Sequence, residues 1–92
     1  MRYEWDERKR QLNLRKHGLD FADAPDVFEG PTFIRADTRE DYGEDRWQFI
    51  GRFDFLPVVI VFTEPASGVR RLVSFRKAAK HERKLLEKAF ED

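Results

Sequence analysis

Met1 to Trp5 alternates apolar and charged side chains, the period-two pattern of a short, half-buried strand. Asp6 then stands where a helix needs an N-cap, with Glu7 in the first turn at the positive end of the helix dipole. The helix this predicts runs to about His17, carries Leu12 and Leu14 as its apolar residues, and stops at Gly18. A second, shorter helix is predicted between Asp20 and Glu29, because Phe21, Ala24 and Phe28 fall at i, i+3 and i+7 with Val27 beside that face. Pro25 must occupy its first turn or kink it, and Gly30-Pro31 ends it.

Four strands follow. The first spans Thr32 to Ala36. After a polar stretch rich in Asp, Glu and Gly comes Arg46 to Phe53, where Trp47 and Phe49 alternate with Gln48. Val58 to Thr63, mostly β-branched, reads as a central strand buried on both faces. Glu64 to Gly68 reads as a hairpin loop, and Val69 to Phe75 as its returning partner. Ala78 to Phe90 closes the chain as a helix with Leu85, Leu86, Ala89 and Phe90 toward the core. The order β-α-α-β-β-β-β-α predicts an α+β fold: an antiparallel sheet of about four strands packed with N-terminal helices and a C-terminal helix. With 92 residues, the chain is expected to form a single domain over 1–92.

Composition narrows the function classes. There is no cysteine, so neither a disulfide framework nor a Cys-based zinc site is available. The amino terminus is charged and lacks the apolar stretch of a signal peptide, and the longest apolar run, Leu56 to Phe62, is too short to span a bilayer. The expectation is a soluble, cytoplasmic protein with no membrane partner. Net charge is zero, but the charges are unevenly placed: residues 1–19 carry +3, residues 20–45 carry −7 and residues 46–92 carry +4. A molecule with one basic and one acidic face fits this distribution.

The candidate chemistry lies near the two basic ends. Arg70, Arg71, Arg76, Lys77, Lys80 and Arg83 follow one predicted strand into a helix, with only Glu82 opposing them. Arg76 sits at that strand-to-helix junction, where a planar guanidinium can fork onto a phosphate, and Arg46 opens a neighbouring strand. His17, beside Lys16, can act as base or acid near neutrality, and the helix dipole at its position favours the protonated form. Glu82 has two possible roles, as a base or as the residue that orients an arginine. Each of these residues also has an ordinary alternative: a cap for His17, a guarded strand edge for the arginines, a solvated helix carboxylate for Glu82. Trp5, Trp47, Phe49 and Phe53 read as core, with a stacking surface for unstacked bases as the alternative. His17 and His81 have no metal-ligand spacing, and the chain has no Gly-rich phosphate loop or nucleophile elbow.

The runs Trp5-Asp6, Lys9, Asn13, Lys16-His17-Gly18, Phe21, Ala24 and Val27-Phe28 together resemble the amino-terminal signature of the BrnT toxins. Glu44, Arg46 and Ile50-Gly51 resemble that family's middle segment, and Arg71, Val73-Ser74, Arg76-Lys77-Ala78 and Glu82-Arg83 its carboxy-terminal one. The resemblance implies a RelE-like fold and a ribonuclease toxin of a type II toxin–antitoxin pair that arrests growth by cleaving RNA. It implies as partner a BrnA-like antitoxin whose DNA-binding domain represses the shared operon, so that the toxin meets operator DNA only through that partner. On this reading His17, Arg46, Arg76 and Glu82 are the catalytic candidates; Lys16, Arg71, Lys77, Lys80 and Arg83 contact RNA; and no metal or cofactor is required. The chain departs from the family pattern at two positions: Leu86 replaces a tyrosine common in the last helix, and Phe75 replaces a small residue. With the neutral net charge, these keep open an alternative, a catalytically inactive binding module or co-repressor acting only through its antitoxin.

Overall fold

The structure, a computed structural model, describes residues 1–90. In chain order it contains β1 (Arg2–Glu4), α1 (Glu7–His17), a 3₁₀ turn (Phe21–Asp23), α2 (Ala24–Glu29), β2 (Phe33–Ala36), β3 (Trp47–Phe53), β4 (Leu56–Ala66), β5 (Val69–Lys77) and α3 (Lys80–Ala89). The strands form one mixed sheet in the order β1-β5-β4-β3-β2. Four of them make the antiparallel meander read from the sequence, and β1 adds a fifth strand, parallel to β5.

Helices cover both faces. On one, Phe49, Val58, Ile60, Phe62, Leu72 and Phe75 meet Phe21, Ala24 and Val27. On the other, Ile50, Val59 and Val61 meet Ala78 and Leu86. The near-continuous apolar run of β4 follows from this, since a central strand buried on two sides has no polar face to offer. Gly51 lets α2 approach β3 closely: a Cβ there would lie 3.1 Å from Val27 Cγ1 and 3.3 Å from Phe49 Cε1.

The two helices that carry the candidate residues are seated differently from the sequence expectation. Asp6 caps α1 as expected, accepting from the Arg8 and Lys9 amides, and Gly18 closes it in the left-handed region at φ 71°. Leu12 and Leu14, however, are exposed at 53% and 38%, and the buried residue is Asn13. Residues two apart do not share a helix face, so two leucines at that spacing make no apolar stripe. What holds α1 is the open edge of β5. β1 pairs with β5 only over Val69–Arg71, and further along the Asn13 amide does a strand's work. Its Oδ1 accepts the Phe75 N–H at 3.0 Å, and its Nδ2 donates to Phe75 O at 2.8 Å and Leu19 O at 3.1 Å.

In α3, Leu86 and Glu82 are buried and Leu85 is half-buried, whereas Ala89 and Phe90 are exposed, against expectation. The helix buries only its first two turns over β3 and the short edge strand β2. The expected five-residue hairpin loop is also tighter, with β4 continuing through Pro65 to Ala66 and only Ser67-Gly68 left as the turn.

Candidate functional site

The register across the sheet shows where α3 stops covering it. On the α3 face, Phe33, Ile50, Val59 and Arg76 form one row and Arg35, Gln48, Val61 and Ser74 the next. Leu86 packs over the first row. The second row is mostly polar, although Gln48 is only 2% exposed. Beyond it lie Arg46 just ahead of β3, buried Thr63 on β4 and Arg71 on β5. A sheet face that turns polar on its central strands is not built for stability alone, because each buried polar group needs a partner.

A β-bulge reshapes this half of the face. Val61 pairs with Ser74 while Phe62 pairs with Leu72, leaving Val73 as the extra residue. Strict alternation would put Leu72 and Phe75 on opposite faces. The bulge instead sends both into the core on the α1–α2 side. Val73 and Ser74 are turned to the open half, on the same side as Arg71 and Arg76. Arg70 goes the other way, its guanidinium stacked 4.4 Å above the Phe28 ring and 5.1 Å from that of Phe62.

Two adjoining depressions occupy the open half. One is lined by Lys9, Leu12, Asn13, Lys16, His17, Arg46, Val73 and Ser74. The other shares Lys9, Arg46 and Val73 with it and adds Trp5, Glu44, Thr63 and Arg71. α1 therefore forms one wall, β5 the floor, and the loop between β2 and β3 the opposite wall. That loop, the most acidic stretch of the chain, is organised by the buried Asp37. Both oxygens of Asp37 accept from Arg39 at 2.7 Å, and it is held ionised below the usual carboxylate range by those bonds. The loop presents Tyr42 and Glu44 to Arg46, whose guanidinium stacks 4.0 Å over the Tyr42 ring with Nε 3.7 Å from Glu44 Oε1. That Nε is buried yet has no hydrogen-bond acceptor.

Arg76 is fixed more firmly. Its two terminal nitrogens donate to both oxygens of Glu82 at 2.7 and 2.8 Å. Glu82 Oε1 also accepts the Ala79 N–H at 2.7 Å, closing the start of α3. Burial on its own raises the Glu82 carboxyl, but the bonds from Arg76 and Ala79, with the charge of Arg76, outweigh it and hold the group at about 2. A carboxylate so engaged does not take up protons near neutrality, so of its two roles the geometry supports orienting Arg76.

His17 is half-buried at the C-terminus of α1. Its pKa lies below the ordinary 6.5, through burial first, then the positive charges of Lys16 and Arg76. The net shift runs against the expectation from the helix dipole, which favours imidazolium: burial and the two neighbouring cations act the other way. The shift favours the neutral imidazole.

The structure thus brings His17, Lys16, Arg46 and Arg71 around the two depressions, with Arg76 and the buried Glu82 beside them under the start of α3. Arg71 is partly engaged there by Glu4 at 3.5 Å. Lys77 is not among them: it pairs with Val58 and faces the α1–α2 side. Lys80 and Arg83 are exposed on the first turns of α3. Of the aromatics, Phe49 is core, and Trp5, Trp47 and Phe53 are half-buried against it. Sequence reasoning missed Arg35, Gln48, Ser74 and Asn13. Among the described residues no three His, Asp or Glu side chains gather as metal ligands, and no helix is long and apolar enough to cross a membrane.

The comparisons with known proteins agree with this architecture. Residues 5–82 match the model of the family described as ribonuclease toxin, BrnT, of type II toxin-antitoxin system. The crystal structure of the Brucella abortus ribonuclease toxin BrnT superposes with a TM-score of 0.70 at 34% sequence identity, covering 87% of this chain and 99% of that one. No curated protein matches the chain.

Proposed function

Because this chain belongs to the BrnT family of ribonuclease toxins of type II toxin–antitoxin systems, we propose that it is an endoribonuclease whose active site is the open half-face between α1, β5 and the acidic loop. The observation that carries the proposal is the shared setting of His17, Arg46 and Arg76. His17 and Arg46 line one depression, and Arg76 directly follows Phe75, whose backbone is tied to Asn13 one helical turn before His17.

The chemistry follows from the residues. A neutral His17 takes the proton of an RNA 2′-hydroxyl, whose oxygen attacks the adjacent phosphorus. Arg76, oriented by the two bonds from its terminal nitrogens to Glu82, and Arg46, which lines the same depression as His17, supply positive charge to the phosphate oxygens as charge accumulates there. The P–O5′ bond breaks, leaving a 2′,3′-cyclic phosphate. The proton passes to the departing 5′-oxygen, and the imidazolium of His17 can supply it. The nucleophile is the RNA's own hydroxyl, so no cofactor enters this scheme. Lys16 and Arg71 contribute salt-dependent grip along the backbone. A BrnA-like antitoxin neutralises the toxin and carries the DNA-binding domain through which the pair represses its operon.

The test uses the purified chain freed of any partner, incubated with RNA in EDTA. Cyclic-phosphate products are expected. Arg76→Ala should lower the cleavage rate about 100-fold or more and abolish growth arrest on expression, whereas full toxicity in that variant removes Arg76 from the site.

One observation favours a second reading, a non-catalytic module that acts only in complex with its antitoxin. Leu86, where the family often has tyrosine, is fully buried among apolar side chains and offers nothing to a substrate. Harmless expression with retained antitoxin binding would select this reading.

A further inference from the structure

We infer that Arg35 forms a second phosphate subsite on the β2 side of the cleft, gripping the phosphodiester next to the one being cut. This rests on the ribonuclease reading and extends the site by a residue outside the resemblance that identified it. Arg35 projects from edge strand β2 onto the α3 face, in the same row as Gln48 and Ser74.

Its side chain is preorganised. Nε donates to Oε1 of the buried Gln48 at 2.7 Å, which fixes the plane of the guanidinium. Nη2 lies 3.9 Å from Glu82 Oε2, the same oxygen that accepts from Arg76 at 2.8 Å. Two guanidinium groups therefore share one carboxylate, which neutralises only one of them. The surplus positive charge sits where Arg35 is still 36% exposed, on the α3 face of the sheet, in a depression of its own lined also by Asp37, Thr38, Arg39 and Gln48.

The choice of Gln48 supports the same reading. A glutamine buried on a central strand costs desolvation without any compensating charge, and a leucine would pack there more simply. What the amide oxygen provides is a fixed arginine. An arginine needed only for solubility on an edge strand requires no such support. An arginine that must meet a phosphate gains affinity from being held in place before the ligand arrives. The arrangement gives a divided cleft: Arg76, Arg46 and His17 around the reacting phosphate, and Arg35 beside Arg76 for its neighbour in the strand.

The experiment measures binding of a 2′-O-methyl RNA oligonucleotide, which lacks the attacking hydroxyl, across a series of salt concentrations. Wild type, Arg35→Gln, Arg35→Lys and Gln48→Met are compared, and each is checked for folding by thermal melting. Arg35→Gln should weaken binding about tenfold at low salt and reduce the slope of log affinity against log salt by about 0.7, the contribution of one phosphate on a single strand. Arg35→Lys should keep the slope and lose part of the affinity. Gln48→Met should do the same, since it releases the arginine without removing its charge.

Arg35→Gln with wild-type affinity and slope overturns the subsite, as does a Gln48→Met protein that binds like wild type. Unmodified RNA incubated with the wild-type chain gives the separate control. If the wild type cuts RNA and Arg35→Gln binds normally, only the subsite falls; if the wild type neither binds nor cuts, the ribonuclease reading falls with it.

Discussion

Replacing Glu82 by glutamine tests whether the Arg76–Glu82 pair is the structural centre of the site. The substitution keeps size and shape, and the amide oxygen can still accept the Ala79 N–H, so the helix start is preserved. What it removes is the charge facing Arg76 and Arg35. Holding the carboxyl at about 2 rather than 4.5 corresponds to about 3 kcal/mol in favour of the ionised form. The Glu82 side chain is only 3% exposed, so solvent screening takes little from this figure. Urea unfolding at pH 7 should therefore show Glu82→Gln less stable by about 3 kcal/mol, which in a chain of this size lowers Tm on the order of 15 °C. The pH dependence fixes the sign. The folded-state pKa is depressed, so the contribution is complete above the ordinary carboxyl value and is lost as pH falls from about 4.5 toward about 2. The gap between wild type and variant should narrow over that interval. Equal stabilities at pH 7, or a gap that stays constant down to pH 2, would refute the reasoning.

Three further outcomes are expected. Asn13→Ala strands the Phe75 N–H and two carbonyls and should cost about 2–4 kcal/mol in chemical denaturation; Asn13→Asp, which cannot donate to those carbonyls, should not rescue it, and a loss under about 0.5 kcal/mol would disprove the role. Lys16→Gln removes a positive charge that holds the imidazole neutral, so the His17 pKa should rise toward 6.5 in an NMR titration, and the acid limb of RNA cleavage should move to higher pH with it; an unmoved pKa rejects the electrostatic account. Gly51→Ala drives a methyl against Val27 and Phe49 and should destabilise by about 1–3 kcal/mol, read as a lower urea midpoint.

Much of the fold was legible because periodicity reports burial directly. β4 reads as a two-sided strand and is one; Asp6 and Gly18 bound α1 as their chemistry requires. Failures came where a residue's role is set by something distant in sequence. Asn13 looks like one more polar residue on a charged helix, and only the strand edge 62 residues later explains it. The bulge at Val73 has no local signature, and strict alternation would put Leu72 and Phe75 on opposite faces. The candidate residues were legible in kind but not in arrangement. Arginines and a histidine announced themselves by residue type. Arg35 did not, because it sits in the acidic stretch, and its importance depends on pairing with Gln48 and on reaching Glu82 across the sheet. The His17 protonation preference was misjudged because the burial of its ring and the approach of Arg76 have no local signature, and the charge of Lys16, which does, was not set against the helix dipole.

The carboxamide that bridges α1 to β5 has a mechanical consequence. His17 stands four residues past Asn13 in the same helix, and Arg76 follows Phe75 directly. The proton acceptor and the anion clamp of the proposed reaction are thus mounted on two girders joined by a single rivet. A change that loosens that one amide therefore shifts both groups relative to each other, although it touches neither of them.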